Sequence, residues 1–360
     1  LVKWAVVAVA FGIAVAMLVV LSPARITHAQ GLPTAPSTTS VGTVRIAFRV
    51  SASAFVRAAA WVVERGETPE ATAGASASVA VTPGFADLDI RTVEVLPDAV
   101  DATIASLQAR LDVGWAERVG TVRKHGEALI AASGPPLAPR VRPRDFTGSS
   151  PSDPGYADQW GLRYSMANTA WTTARSVNAG TSTLVAVIDT GIQYDHEDLI
   201  TRMAPNTTWG RCETGTCVSY LPTNTSTFPV DDDGHGTHVA GIVAAATDNA
   251  LGVAGVAGDR PIRLIPVKVL DAGGNGTTDG VAAGIAWAVA KGAKVINMSL
   301  GGSTDTQTVN SAIDAAASAG VLITTSAGNC GGSTYASQGC GVINEPDYPA
   351  AYAGTPSGAG

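Results

Sequence analysis

Hydrophobic and polar positions follow two rhythms along the chain, and the change between them marks two regions. In the first region, residues 44–50 alternate as a strand, 53–65 carry helical spacing, 76–81 and 90–95 read as strands, and 98–111 predict a helix with an acidic first turn. Residues 118–123 would be the closing strand of this small α+β domain. From residue 156 onward, apolar runs at 183–189, 264–270, 294–300 and 321–326 alternate with helical patterns at 235–247, 278–291 and 306–319. Uninterrupted apolar strands alternating with helices predict an α/β fold with a parallel sheet covered on both faces. Ligands in such sheets bind beyond the carboxyl ends of the strands, where Asp189, Ser299 and Asn329 fall.

Between and before these regions the pattern breaks down. Residues 131–154 are rich in proline, with Gly, Ser and arginine, which predicts an exposed segment open to cleavage. Residues 30–43 are rich in Pro, Ser, Thr and Gly and read as a linker. The first 29 residues read as an export signal, with Lys3, an apolar stretch over 5–21, Pro23 and a small-residue cleavage site ending at Ala29. That predicts a secreted protein, although the same apolar stretch is long enough to act as a retained membrane anchor. The expected organisation is therefore a signal at 1–29, a linker at 30–43, a small domain at 44–127, a cleavable linker at 128–152 and an α/β domain at 153–360.

Charge and cysteine content narrow the function. Residues 1–150 carry 14 basic and 12 acidic groups, whereas 151–360 carry 9 and 18, so the net charge of −7 sits on the second region and argues against nucleic acid as its partner. Cys212 with Cys217 and Cys330 with Cys340 form two local pairs. Export would favour two short disulfides, and other pairings stay open. Neither pair has the spacing of a structural zinc site.

Asp189-Thr190-Gly191 closes one apolar run, and His235 follows 46 positions later between Gly234 and Gly236. A histidine can deprotonate a nucleophile when an aspartate holds its tautomer, and the order Asp, His, Ser is one of those that recur. An Asp-Thr-Gly turn also occurs in aspartic proteases, but those need two carboxylates sharing a proton, and one copy stands here. His238 lies one helical turn from His235. A metal pair is a weaker reading than a buried, hydrogen-bonded helix histidine. The Asp231-Asp232-Asp233 run reads as a solvated charged loop before it reads as an ion site.

Together, Val187-Ile188-Asp189-Thr190-Gly191, Asp195-His196-Glu197-Asp198-Leu199, His235-Gly236-Thr237-His238-Val239-Ala240-Gly241, Ser299-Leu300-Gly301-Gly302 and Ala327-Gly328-Asn329 resemble the subtilisin-like serine proteases. The resemblance covers residues from about 153 to 353 and implies a serine endopeptidase acting on protein and peptide substrates. It makes 44–127 similar to the family's inhibitory propeptide, a ferredoxin-like domain that serves as intramolecular inhibitor. It also implies that Asp189 orients the imidazole, that His235 is the general base, and that Asn329 donates to the oxyanion. Ser299, Leu300 and Gly301 on one side, and Gly274 and Gly276 on the other, would clamp an extended peptide, with Gly328 beside them. A structural Ca2+ is implied at Asp198 and Asn249, with carbonyls of Thr247, Leu251 and Val253, and with Asp153 completing an all-oxygen set.

The family's Gly-Thr-Ser-Met-Ala-type nucleophile motif is absent from these residues. Gly354-Thr355-Pro356-Ser357-Gly358 is a superficial echo, and Ser357 follows Asn329 too closely to serve. The expectation is a serine beyond residue 360, with this chain alone inactive. The alternative is a non-catalytic relic that binds peptides or inhibits a protease.

Overall fold

Strand β6 (Thr183–Asp189) is buried at five of its seven positions, and its alternation divides the interior in two. Val185 and Val187 face one core, with Ile262 and Leu264 of β9 (Ile262–Lys268) and Ala240 and Ala244 of helix α4 (His235–Ala244). Ala186 and Ile188 face the other, with Val281 and Ile285 of α5 (Thr278–Ala290) and Val309 and Ala312 of α6 (Gln307–Ser318). A period of two on a strand covered on both faces sends alternate side chains to opposite helix layers, so this is the predicted α/β arrangement. The computed structural model describes residues 43–50, 79–80, 90–110, 112–125, 150–176, 182–213, 216–219, 229–328 and 346–354, all within one compact unit.

The main sheet has the order β13-β11-β6-β9-β7-β8, with β13 (Leu322–Thr325), β11 (Val295–Met298), β6, β9 and β7 (Gly210–Glu213) parallel. β8 (Thr216–Ser219) returns antiparallel from β7, and the disulfide Cys212–Cys217 ties this hairpin. The second expected disulfide, Cys330 with Cys340, lies outside the described residues, as do the leader, the linkers at 30–42 and 126–149, and the first predicted helix. Helices α2 (Trp160–Tyr164) and α3 (Ala167–Ser176) precede β6. α5 is apolar almost all round, which matches its burial at nine positions, and Thr277 caps it by accepting from the Gly280 amide.

The small domain is an antiparallel sheet of order β2-β3-β1-β4, from β1 (Val44–Val50), β2 (Val79–Ala80), β3 (Ile90–Val95) and β4 (Val113–Arg118). Helix α1 (Val100–Gln108) packs Val100, Ile104 and Leu107 against Ile46, Phe48 and Val93. One expectation is corrected here. The strand predicted at 118–123 to close this sheet is two elements: β4 closes it, and β5 (Thr121–Lys124) leaves it to join the α/β domain. An isolated run of alternating residues does not say which sheet edge it pairs with, and here the α/β domain offers the open edges.

Three contacts seat the small sheet on α5 and α6. Arg45 pairs with Asp279, a carboxylate with no exposure, in the first turn of α5. Glu117 accepts from the Gln307 and Thr308 amides at 2.9 Å each, supplying from another domain the cap that Thr306 does not give α6. A carboxylate there meets both the unsatisfied amides and the positive end of the helix dipole. Gly120 and Thr278 exchange two further bonds, Gly120 N to Thr278 Oγ1 at 3.0 Å and Thr278 N to Gly120 O at 3.1 Å.

Candidate active site

Asp189 is the last residue of β6, and its carbonyl accepts from the Val269 and Leu270 amides just past β9, which anchors the strand end. Its carboxylate is fully buried. Oδ1 accepts from the Thr190 amide at 2.7 Å and faces His235 Nδ1 at 2.7 Å, while Oδ2 has no hydrogen-bond partner among the described residues. His235 opens α4 behind Gly234, whose φ of +103° is open to glycine and strained for residues with a Cβ. Burial pushes the imidazole pKa down, but the hydrogen bond and charge of Asp189 outweigh it and hold the pKa above its ordinary value. With Nδ1–H committed to Asp189, Nε2 is left to accept a proton. Among the described residues no serine hydroxyl is bonded to it.

The acidic run beside the histidine is a scaffold and not the solvated loop the sequence suggests. Asp231 accepts from Thr190 Oγ1 at 2.8 Å, the Gly234 and Thr237 amides at 2.8 Å each, and Thr237 Oγ1 at 2.6 Å. Burial opposes its ionisation, yet the bonds from Thr237, Gly234 and Thr190 prevail and hold its pKa below the ordinary carboxylate value. Asp232 takes Lys268 Nζ at 2.6 Å, and that nearly buried ammonium also holds the Thr190 carbonyl at 2.7 Å. Lys268 stands beside Asp189 in the β6–β9 register. The apolar run around it conceals it in the sequence, where a lone lysine at a strand end is unremarkable. His238 also departs from its reading, being exposed where a buried histidine was expected, because the opposite face of α4 carries the core contacts.

Close approach explains Gly236. A Cβ there would meet the Gly191 carbonyl oxygen at 2.1 Å and Thr190 Oγ1 at 3.1 Å, and the glycine amide donates to that hydroxyl at 2.9 Å. The Gly236→Ala variant is expected to lose about 1–3 kcal/mol of stability, since backbone cannot yield as a side-chain tip does. Denaturant midpoints of variant and parent check this; an unchanged midpoint counts against the contact.

The segment between the domains occupies a groove at the sheet's carboxyl end. β5 runs antiparallel to β10 (Asn275–Thr277) on one side and β12 (Leu300–Gly301) on the other. Lys124 N donates to Gly274 O at 2.7 Å and His125 N to Ser299 O at 3.1 Å, so the predicted clamp residues Ser299, Leu300, Gly301, Gly274 and Gly276 all border this strand. The His125 carbonyl is among the groups that favour the charged form of His235, which sets it at the imidazole. Gly328 borders the His125 side chain, whereas Asn329 lies outside the described residues. Neither His125 nor Asp347 was anticipated, because nothing in the sequence brings residue 125 near residue 347.

Among the described residues, no three His, Cys, Asp or Glu side chains gather in a metal-holding group. The residues read as calcium ligands still converge. Asp198 accepts from Asn249 Nδ2 at 2.8 Å and the Val253 amide at 3.0 Å, and Asp153 accepts from the Asp248 and Asn249 amides. Both carboxylates are nearly buried with only neutral donors bonded to them, which leaves their charge unbalanced by a bonded cation, whereas Asn249 Oδ1 is taken by the Leu251 amide.

Residues 180–355 match the sequence profile of the Peptidase S8 Subtilase family. The chain is 36% identical over 204 residues to "Thermitase" of Thermoactinomyces vulgaris, covering 56% of this chain and 62% of that protein. It is 36% identical over 221 residues to "Thermophilic serine proteinase" of Bacillus sp. (strain AK1), covering 60% and 50%, and 38% identical over 176 residues to "Subtilisin" of Bacillus pumilus, covering 49% and 55%. The chain thus spans between 50% and 62% of the length of these relatives. With a parallel-sheet α/β core, Asp189 on His235 at a strand end and these matches, residues 180–355 are similar to the Subtilase family.

Proposed function

We propose that the chain is part of a secreted serine endopeptidase made as a zymogen, with residues 43–125 as its inhibitory domain. One observation carries this reading: β5 lies as an extended peptide between β10 and β12, and the carbonyl of the next residue, His125, meets the imidazole of His235. That is the pose of a substrate or a freshly cut product. The strand order of the small sheet supports a ferredoxin-like propeptide. The apolar leader supports export, and no helix among the described residues is long and apolar enough to cross a membrane.

In the proposed reaction a serine hydroxyl gives its proton to His235 Nε2 and attacks the scissile carbonyl. Asp189 holds Nδ1–H and stabilises the imidazolium, and the proton then passes to the leaving amine. Asn329 is the proposed oxyanion donor. Subtilisin, a relative, is the reference case for such a donor, and its removal there costs about 10²–10³ in turnover. Calcium is proposed at Asp198, Asn249 and Asp153 with the Thr247, Leu251 and Val253 carbonyls, where it would lock the loop before β9 without entering the chemistry.

The full-length protein is expected to hydrolyse denatured protein after residues 43–125 are released, and to stop when a serine-directed phosphonyl fluoride is added. No hydrolysis from a processed, folded sample favours the non-catalytic, peptide-binding alternative. Since His235 must be neutral to act as base and Asp189 raises its pKa, activity is expected to fall as pH drops through a value above about 6.5, that of a free histidine. A rate profile whose acid limb lies below that value contradicts the assignment.

A further inference from the structure

Two carboxylates from different parts of the fold meet two consecutive basic residues, Lys124 and His125, at the end of the strand in the groove. Lys124 Nζ contacts both oxygens of Asp233 at 2.6 Å, with side-chain exposures of 29% and 10%. His125 Nε2 contacts Asp347 Oδ2 at 2.7 Å, with exposures of 11% and 22%, and its Nδ1 faces Ser326 Oγ. The walls approach closely at two glycines. A Cβ on Gly301 would lie 2.3 Å from Asp347 Oδ1 and 2.5 Å from His125 Nε2, and one on Gly328 would lie 2.3 Å from Asp347 Oδ2. Asp347 thus lies against two glycines and faces the side chain that precedes the carbonyl at His235. A carboxylate this enclosed repels an acidic side chain and loses its water to an apolar one without return, so it favours a cation.

We infer that Asp347 and Asp233 make the groove selective for two consecutive basic residues immediately before the bond that is cut, and that the chain's own first cut follows His125. This rests on the endopeptidase reading, whose substrate class it names. Asp347 reads the residue next to the bond, and Asp233 reads the one before it. Asp233 also accepts from the His235 amide at 3.1 Å, so the reader of the second position is tied to the catalytic helix. Cutting the His125–Gly126 amide adds one water, leaving a carboxylate on His125 and an amine on Gly126.

Two experiments separate this inference from the reading beneath it. On the processed full-length enzyme, peptides ending in Lys-Arg, Lys-Lys or Lys-His before the bond are expected to outrun Lys-Phe and Lys-Glu. Asp347→Asn should lower kcat/KM for the Arg peptide by about 30-fold or more while sparing the Phe peptide, the loss expected when half of an enclosed charge pair is removed. A parent enzyme that prefers Phe, or a variant that loses all peptides equally, overturns the inference. The second experiment needs no catalysis. In the 360-residue chain, His125→Glu should abolish hydrogen-exchange protection of the amides at 122–125, and adding Asp347→Lys should restore it. Protection unchanged in His125→Glu, or not restored in the double variant, overturns the inference. Restored protection with no peptide hydrolysed overturns the endopeptidase reading alone.

Discussion

His235→Ala in the processed full-length enzyme is expected to lower kcat by about 10⁶-fold, and Asp189→Asn by about 10⁴-fold, figures for which subtilisin and chymotrypsin are the reference cases. The difference between the two follows from the geometry. In the proposed reaction His235 takes the proton, whereas Asp189 acts through it, by holding Nδ1 at 2.7 Å and by stabilising positive charge on a ring whose burial opposes that charge. Asn in place of Asp189 keeps the volume but no longer fixes Nδ1–H toward the strand end. It also removes the charge that raises the imidazole pKa, so the residual activity should show its acid limb moved to lower pH. Both variants should keep the parent's affinity for a peptide lying along β10 and β12, because neither side chain touches those strands. Steady-state kinetics with a chromogenic peptide, read as kcat and KM separately across pH, tests this. A loss confined to KM would remove both residues from the chemistry.

Asp189 and His235 were legible because each sits at an element end that local rules mark. A run of buried-type residues ends at Asp189, and a glycine able to take positive φ precedes His235. The helices α5 and α6 were legible for the same reason, since burial over many consecutive turns leaves an apolar signature. What stayed hidden depends on partners distant in sequence. β5 has the alternation of a strand, but whether Val122 packs under its own sheet or beside Val281, Leu300 and Val309 of the other domain is settled by which edges are open. Lys268 and Asp347 are charged residues whose meaning comes from groups 36 and 222 positions away. A single sequence gives no such distances. The triple aspartate illustrates the limit: its composition suggests hydration, and its bonds to Thr190, Thr237, Lys268 and Lys124 make it the frame of the histidine's turn.

Arg45→Ala is expected to destabilise the docked small domain by about 3 kcal/mol, the lower end of the 3–5 kcal/mol range for leaving one half of a buried ion pair uncompensated. The lower end applies because Arg45 keeps 17% exposure, whereas Asp279 has none. Asp279 Oδ1 still accepts from the Gly280 amide at 3.0 Å, but no other cation contacts its carboxylate among the described residues. It sits in the first turn of α5, where the helix dipole favours an anion. The charge is therefore costly only while the small sheet covers it. Under the proposed zymogen reading, release of residues 43–125 would let water replace the guanidinium, and the pair would strengthen the precursor alone. The double variant Arg45→Ala with Asp279→Asn should recover most of the loss, because a neutral amide tolerates the same burial better. The check is thermal or denaturant unfolding of the precursor together with hydrogen exchange at Gly120 and Thr278, which bridge the same interface. If the single and double variants lose equal stability, Asp279 is not held by Arg45, and the docking rests instead on Glu117 at the start of α6 and on β5 in the groove.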